Sequence, residues 1–423
     1  MGLFLFVLPL QTVYLLREPF IDGVKWEYGV IGVYAVDLLL GVLLVWVLIS
    51  WLWSIRYTVL SIKYGGAEVI LGFFLLWAGL SIFWAPDQML AAYFFVKLLL
   101  AMGLFFVVRF STDMDMKKIV FVFLAAGVIQ SGIGIAQFLT QQSIDSAILG
   151  MSAYEAWQAG SSVLKIDSGR FLRAYGTFPH PNILGGFLGV IFVFCISYYV
   201  FCITYRKSWR TFFEILFLLG GLLIVFSGLI LTFSRTAWLG VLLGIIVIGL
   251  HAFRQDDSWI RRRFLKILFA LTLASLVFGF VLRDQIFLRF DVVTIEREGS
   301  VSERVMSLQD ARVLIGGHPL IGIGAGNFTA EIIRQELNRP VWNIQPAHDV
   351  FILIFAELGM IGFLLFVGLF IFVLFSISQS AIYNLQSTIL MTLIPSLFLD
   401  HFLWSSHFGL IFLFLLLGFA MRK

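Results

Sequence analysis

The chain has 423 residues, of which 60% are hydrophobic and 13% charged, with a formal net charge of +4. Soluble domains use roughly half apolar and a quarter charged residues, so a water-soluble globular protein is excluded and lipid is the solvent for most of the sequence. The positive excess lies largely in short segments between apolar runs, so it reports membrane topology and not nucleic-acid binding.

Apolar runs of the roughly 17 to 25 residues that cross hydrocarbon as a helix occur near 28–53, 66–84, 88–108, 118–138, 181–204, 211–233, 236–253, 264–282, 348–376 and 405–421. Shorter runs at 2–16 and 385–400 bring the expectation to about twelve spans. The runs are continuously apolar, which predicts helices and not an alternating barrel. The expected fold class is an all-α polytopic membrane protein. It forms a single membrane domain over 1–423, with one extracytoplasmic loop at 139–180 and a larger one at 283–347 between the ninth and tenth helices. Met1–Leu16 lacks a basic leader and a small-residue cleavage site, and is expected to remain as the first span.

Orientation follows from short-loop Lys and Arg. Arg56, Lys63, Arg109, Lys117, Lys118, Arg206, Lys207, Arg210, Arg254, Arg261, Arg262, Arg263, Lys266, Arg422 and Lys423 fall on one side, against Arg17, Lys25 and Arg235 in short loops on the other. Both termini are therefore expected in the cytoplasm and both long loops outside. Lys97 is the one clear charge deep in a predicted span. Cys195 and Cys202 sit seven apart in one predicted helix, about 10 Å of rise, too far for a disulfide.

The first loop, Ser-, Gly- and Ala-rich, is expected to be irregular with a short helix around Ser152–Ala159. It ends in Arg173-Ala-Tyr-Gly-Thr-Phe-Pro-His180-Pro-Asn182, where the prolines and glycine fix a rigid entry to the next span. Asn182 can cap that span, with Arg173 and His180 at the outer surface. The alternative is an interfacial turn with a snorkelling arginine. Thr232-Phe-Ser-Arg235-Thr-Ala-Trp238 leaves Arg235 almost no loop to escape into, so its charge needs a partner or a ligand. A helix-end cap or a lipid head group is the bland alternative.

The insert at 283–347 carries seven arginines (Arg283, Arg289, Arg297, Arg304, Arg312, Arg334, Arg339) and no lysine. A guanidinium is a planar fork that grips phosphate oxygens in pairs, so this composition points to phosphate. Val301, Val305, Leu308 and Ile315 have helical spacing and predict a surface helix lying on the membrane domain. The following His318-Pro-Leu-Ile-Gly-Ile-Gly-Ala-Gly-Asn327-Phe328 lacks a P-loop ending and instead lets backbone pass close to another surface or to a ligand. Asn327 is a candidate glycan contact. His348 opens the next helix, where the helix dipole and nearby arginines disfavour imidazolium. A neutral imidazole is what a general base needs at neutral pH.

Asp113-Met-Asp115 has a metal-site spacing but reads as a solvated loop beside Lys117 and Lys118, and no metal is expected. His401 and His407, near Asp400 and Trp404, read as interface anchors or sugar contacts.

Together these segments resemble the O-antigen ligase and polymerase family of bacterial envelope glycosyltransferases. The likeness rests on Ser81-Ile-Phe-Trp-Ala-Pro-Asp87, the string from Arg173 to Asn182, Ser234-Arg235, Arg304 ahead of Pro-Leu-Ile-Gly-Ile-Gly-x-Gly-x-Phe, and His348-x-x-x-Leu-x-x-x-x-Glu357-x-Gly359. The resemblance implies a GT-C-like fold with a ligase- or polymerase-like core over 170–376. It implies a donor glycan on undecaprenyl diphosphate and a lipid, glycan or protein acceptor hydroxyl. The site would lie on the periplasmic face of the cytoplasmic membrane, with membrane lipids as surroundings and no cofactor. His348, Arg304 and Arg235 take the catalytic positions; Arg173, Arg312, His180, Asn182 and Asn327 take the binding positions. Many members have Asn after that histidine, where this chain has Asp349, a carboxylate able to cap the helix and raise the imidazole's proton affinity. A repeat-unit polymerase is the neighbouring alternative. A transporter of lipid-linked oligosaccharide ranks third, because only Lys97 lies deep in a span and no internal repeat is visible.

Overall fold

The computed structural model describes residues 1–58, 65–111, 114–158, 160–166, 169–203, 209–290, 300–335, 339–378 and 383–422. Arg297, Lys63, Asp113, Ala159, Arg206, Lys207 and Lys423, used above, lie outside the described residues. Among the described residues eight helices are long and apolar enough to cross a membrane: Gly66–Phe83, Gln88–Phe110, Met116–Thr140, Pro181–Phe201, Thr211–Leu231, Arg235–Arg254, Ser258–Val281 and Val350–Ile377. Ala35–Ser50, Leu385–Leu399 and His407–Ala420 are shorter apolar helices. The protein is thus a mostly helical, multi-pass membrane chain.

The expected span at 2–16 does not form. Gly2–Val7 is a six-residue helix that stops before Pro9, and Val13–Arg17 is a strand paired antiparallel with Ile31–Tyr34. Proline supplies no amide to continue a helix, and the β-branched and aromatic residues beyond it suit a ladder. The run beginning near 28 is helical only from Ala35. Between these strands, Phe20–Ile21 and Val24–Lys25 pair across Asp22-Gly23, both at positive φ as a two-residue hairpin turn requires. In the 139–180 loop, Val163–Ile166 pairs with Gly169–Leu172, and the helix expected around Ser152 is absent, replaced by turns. The all-α expectation is therefore amended by three small antiparallel pairs among the described residues.

Two compact units make up the chain. The first comprises Met1–Thr12, Asp113–Ser300 and Ile382–Ser396. Its centre is Pro181–Phe201, buried on nearly every side, against Met116–Thr140, Trp209–Leu231 and Arg235–Arg254. A helix that is apolar all round belongs in such an interior position. Cys195 is buried in it as a packing residue.

The second unit comprises Val13–Thr112, Val301–Ala381 and Leu397–Lys423. His407–Ala420 packs on Gln88–Phe110, and Val350–Ser378 on Gly66–Leu80. Val350–Ser378 is broken at Gly359, whose backbone (φ 67, ψ −171) is open essentially to glycine alone. The Pro319–Gly326 segment threads this break. Ile323 and Gly324 amides donate to the carbonyls of Ala356 (3.1 Å) and Glu357 (2.8 Å), while Met360 and Ile361 amides donate to those of Pro319 (2.9 Å) and Leu320 (3.4 Å). Backbone freed by the helix break is thus satisfied by the glycine run, as a water-poor setting demands. Glu357 Oε2 completes the lock by accepting from the Gly326 amide and from Trp404 Nε1, each at 2.8 Å.

Lys97 is enclosed in this unit and ion-paired with Asp37, with its ammonium 4.8 Å and 4.9 Å from the rings of Tyr34 and Tyr93. Tyr34 also stacks on His407 at 3.7 Å, so His407 is an internal residue and not an interface anchor. Lys97→Met should leave the Asp37 carboxylate buried without its counter-ion and destabilise the protein by about 3 kcal/mol. Thermal melting of the purified protein in detergent measures this; an unchanged transition would show that the pair contributes nothing.

The surface helix spans Ser300–Gly317, but its buried side is Ser307, Asp310, Ala311 and Leu314. Val305 and Leu308, expected to face inward, are 49% and 42% exposed. Small side chains permit the closer approach, and Asp310 is fastened by Arg339 Nη1, which reaches both carboxylate oxygens at 2.8 and 2.9 Å.

Candidate active site

In the second unit the surface helix, the residues leading into Val350–Ser378 and the turn ahead of His407–Ala420 bring Arg304, His348 and His401 together. The rings of His348 and His401 lie 4.8 Å apart and nearly perpendicular (85°). Tyr28 packs edge-on against His401 at 5.9 Å. Ser307 donates its hydroxyl proton to the Arg304 carbonyl (3.1 Å) and lies 3.5 Å from His348 Nδ1. With the Ser307 proton on that carbonyl, its oxygen would accept from His348 Nδ1 and leave Nε2 with a lone pair. Ser405 is placed in the same way, donating to the His401 carbonyl (3.1 Å) and lying 2.6 Å from His401 Nδ1.

Burial holds His348 well below the ordinary histidine range; His401 pushes the same way, Asp400 opposes, and Arg304 lowers it further. His401 is lowered chiefly by burial, against Asp400 and together with Arg304. Both rings are therefore neutral at physiological pH. The Arg304 guanidinium is half-buried; no described carboxylate or carbonyl is hydrogen-bonded to it, and the carboxylate of Glu303 next to it feels its charge. Asp349 caps its helix by accepting from the Ile352 amide at 2.9 Å and, burial raising its own proton affinity, is not among the groups acting on His348. Asp400 supplies that counter-charge instead, its Oδ1 accepting from the amides of His401 (2.8 Å) and Phe402 (3.4 Å).

In the first unit the turn between Trp209–Leu231 and Arg235–Arg254 is held by two other arginines. Buried Arg173 donates to the Thr232 carbonyl (2.7 Å), Ser162 Oγ (2.8 Å) and Asn182 Oδ1 (2.8 Å). Buried Arg289 donates to the Phe233 carbonyl (3.1 Å). Phe233 has φ 48, and Ser234 caps the helix that Arg235 opens. Arg235, half-buried, reaches the Arg289 carbonyl at 3.3 Å.

The expected residues thus separate by role. His348 and Arg304 share one constellation, with His401, Asp400, Ser307 and Ser405 added to it. Arg173 is enclosed and not at the outer surface, because its fork is engaged by a carbonyl, a hydroxyl and Asn182. His180, not Asn182, caps Pro181–Phe201, its Nδ1 accepting from the Asn182 amide at 3.1 Å. Asn327 is fully buried, its side chain joining the Asp87 amide to the Ala325 carbonyl at 2.8 and 3.0 Å, so it ties the glycine run and faces no open site. Arg312 is exposed, away from the buried side of its helix. Asp115 caps Met116–Thr140. No group of three or more His, Cys, Asp or Glu side chains suited to a metal ion occurs among the described residues.

Residues 220–367 match the family model described as O-antigen ligase. Over that segment the chain is similar to the O-antigen ligase family. The matched segment contains Arg235, Arg289, Arg304 and His348, and leaves Arg173, His180, Asn182 and His401 outside it. Members of this family are membrane enzymes acting on lipid-linked glycans, of the ligase or polymerase kind. No curated protein matches the chain.

Proposed function

We propose that this O-antigen ligase-like chain transfers a glycan from undecaprenyl diphosphate to an acceptor hydroxyl on the extracytoplasmic face of the cytoplasmic membrane, with inversion and without a metal. The observation that carries the reading is the neutral His348 beside a guanidinium, Arg304, to which no described carboxylate is hydrogen-bonded. In one displacement the acceptor oxygen bonds to the anomeric carbon as that carbon's bond to the diphosphate oxygen breaks. The acceptor proton goes to His348 Nε2, and the bond electrons leave with the diphosphate. Negative charge grows on the leaving group, and a fixed guanidinium stabilises it without reorganising at the moment of reaction. Arg235 is the further guanidinium that the family resemblance assigns to the donor's phosphates. The diphosphate linkage carries the driving force, so no nucleotide enters.

The test is release of undecaprenyl diphosphate from a lipid-linked oligosaccharide mixed with the purified protein and an envelope lipid extract as acceptor. Turnover should survive EDTA. A general base works unprotonated, and His348 is lowered, so the rate should hold as pH falls through the ordinary histidine range near 6.5 and decline only below it. An absolute need for Mg²⁺, or a donor that stays intact while crossing the bilayer, would replace this reading. In a deletion strain, long chains left on the carrier indicate a ligase and single repeats a polymerase.

A further inference from the structure

The turn between Leu385–Leu399 and His407–Ala420 lies beyond the matched family segment, yet it is built as carefully as the site it touches. Trp404, fully buried among Phe74, Phe94 and Phe366, ties the turn to Glu357, the same carboxylate that locks the glycine run to the broken helix. His407, stacked on Tyr34 with its Nδ1 3.6 Å from Asp37, fixes the far end. Asp400 accepts two amides at the near end. A segment anchored at three points needs no histidine for stability at the position between them, and an enclosed imidazole is an expensive choice there.

We propose that His401 is a positioning residue for His348: its perpendicular ring, itself held beside Ser405, sets the orientation in which His348 meets the acceptor hydroxyl. The inference deepens the transfer reading and rests on it. The groups facing His401 are Asp400 and Ser405 on its own segment, His348 from the residues before Val350–Ser378, Arg304 from the surface helix, and Tyr28 from the turn Glu27–Gly29; Glu303 lies near Tyr28. Arg304 and His401 both oppose a proton on His348, and only Asp400 favours one. Removing the His401 imidazole therefore makes His348 easier to protonate, and a base that must be neutral then fails at higher pH.

His401→Phe keeps a ring in place without its nitrogens; Ser405→Ala removes only the hydroxyl that meets His401 Nδ1. With undecaprenyl diphosphate-linked oligosaccharide as donor and an envelope lipid extract as acceptor, His401→Phe should lower kcat about 10- to 100-fold, the scale of a misplaced catalytic group. Its KM for the donor should stay within about twofold, since ground-state binding is untouched. The acid limb of the pH profile should move to higher pH, and Ser405→Ala should shift it the same way by less. If both variants melt like the wild type and keep its rate and acid limb while His348→Ala is inactive, His401 only fills space and the inference is overturned. Should His401→Phe not fold, Ser405→Ala decides alone by the same criterion. Full turnover by His348→Ala would instead overturn the transfer reading itself.

Discussion

Arg304→Ala should lower glycan transfer about 10²- to 10³-fold, the range seen when one preorganised donor to a developing oxyanion is removed. The guanidinium sits half-buried on the inner edge of the Ser300–Gly317 helix, one turn before Ser307, so the fold that fixes His348 also fixes Arg304. No described side chain hydrogen-bonds to its guanidinium, so its loss breaks no buried network and the variant should fold normally, with Glu303 easier to protonate. Arg304→Lys keeps the charge but not the planar fork, and a partial loss is expected. Arg304 also opposes protonation of His348, so its removal should carry the acid limb of the rate profile to higher pH. Arg283, 73% exposed beside Asp284, is the comparison: its alanine variant should retain wild-type turnover. Undecaprenyl diphosphate release by the folded variants measures all three, and full activity in Arg304→Ala would remove the charge-stabilisation argument.

The helical, membrane-embedded character was legible because lipid imposes continuous apolar length, and ten of the runs above are long enough to read by eye. Span 2–16 failed because length of apolar sequence says nothing about Pro9 and the strand-forming residues after it. The Asp22-Gly23 hairpin was legible, since that dipeptide between strand formers is a strong turn signal, but a count of apolar runs passes over it. His348 and Arg304 could be picked out because charged groups beside a membrane need a reason. His401 could not be separated from an interface anchor: a His near Asp and Trp at a span end has the same composition either way, and only its distance to His348 decides. Arg173 shows the converse. It was read as lying at the outer surface with His180, but whether a guanidinium faces a ligand or a neighbouring carbonyl depends on the Thr232 turn, 59 residues on. The surface helix was placed correctly and turned the wrong way, because the pattern weighed Val305 and Leu308 as inward-facing, whereas an Asp310–Arg339 ion pair and Ala311 made the contact.

Gly359→Ala should destabilise the protein by about 5 kcal/mol or more, at the exceptional end of single substitutions. Two costs add. An L-residue at φ 67 and ψ −171 is strained by about 1 to 3 kcal/mol. The new Cβ would also lie 2.3 Å from the Leu320 carbonyl oxygen and 2.4 Å from its carbon, a backbone neighbour that cannot rotate aside. To relieve the clash, the Pro319–Gly326 segment must withdraw from the helix break. That withdrawal exposes the carbonyls of Ala356 and Glu357 and the amides of Met360 and Ile361, where water is scarce and unpaired backbone costs most. Gly322→Ala strikes the same lock from the other side, its Cβ 2.3 Å from the Glu357 oxygen, and should be equally damaging. Gly316→Ala, with nothing within 4 Å of its Cβ, should be neutral or slightly stabilising, since it only narrows the unfolded ensemble. Gel filtration and melting in detergent separate the cases. A well-behaved Gly359→Ala protein with a wild-type transition would mean that the broken helix and the glycine run do not depend on each other, and that the path joining Glu357 and Trp404 to the His401 turn is not what holds that turn in place.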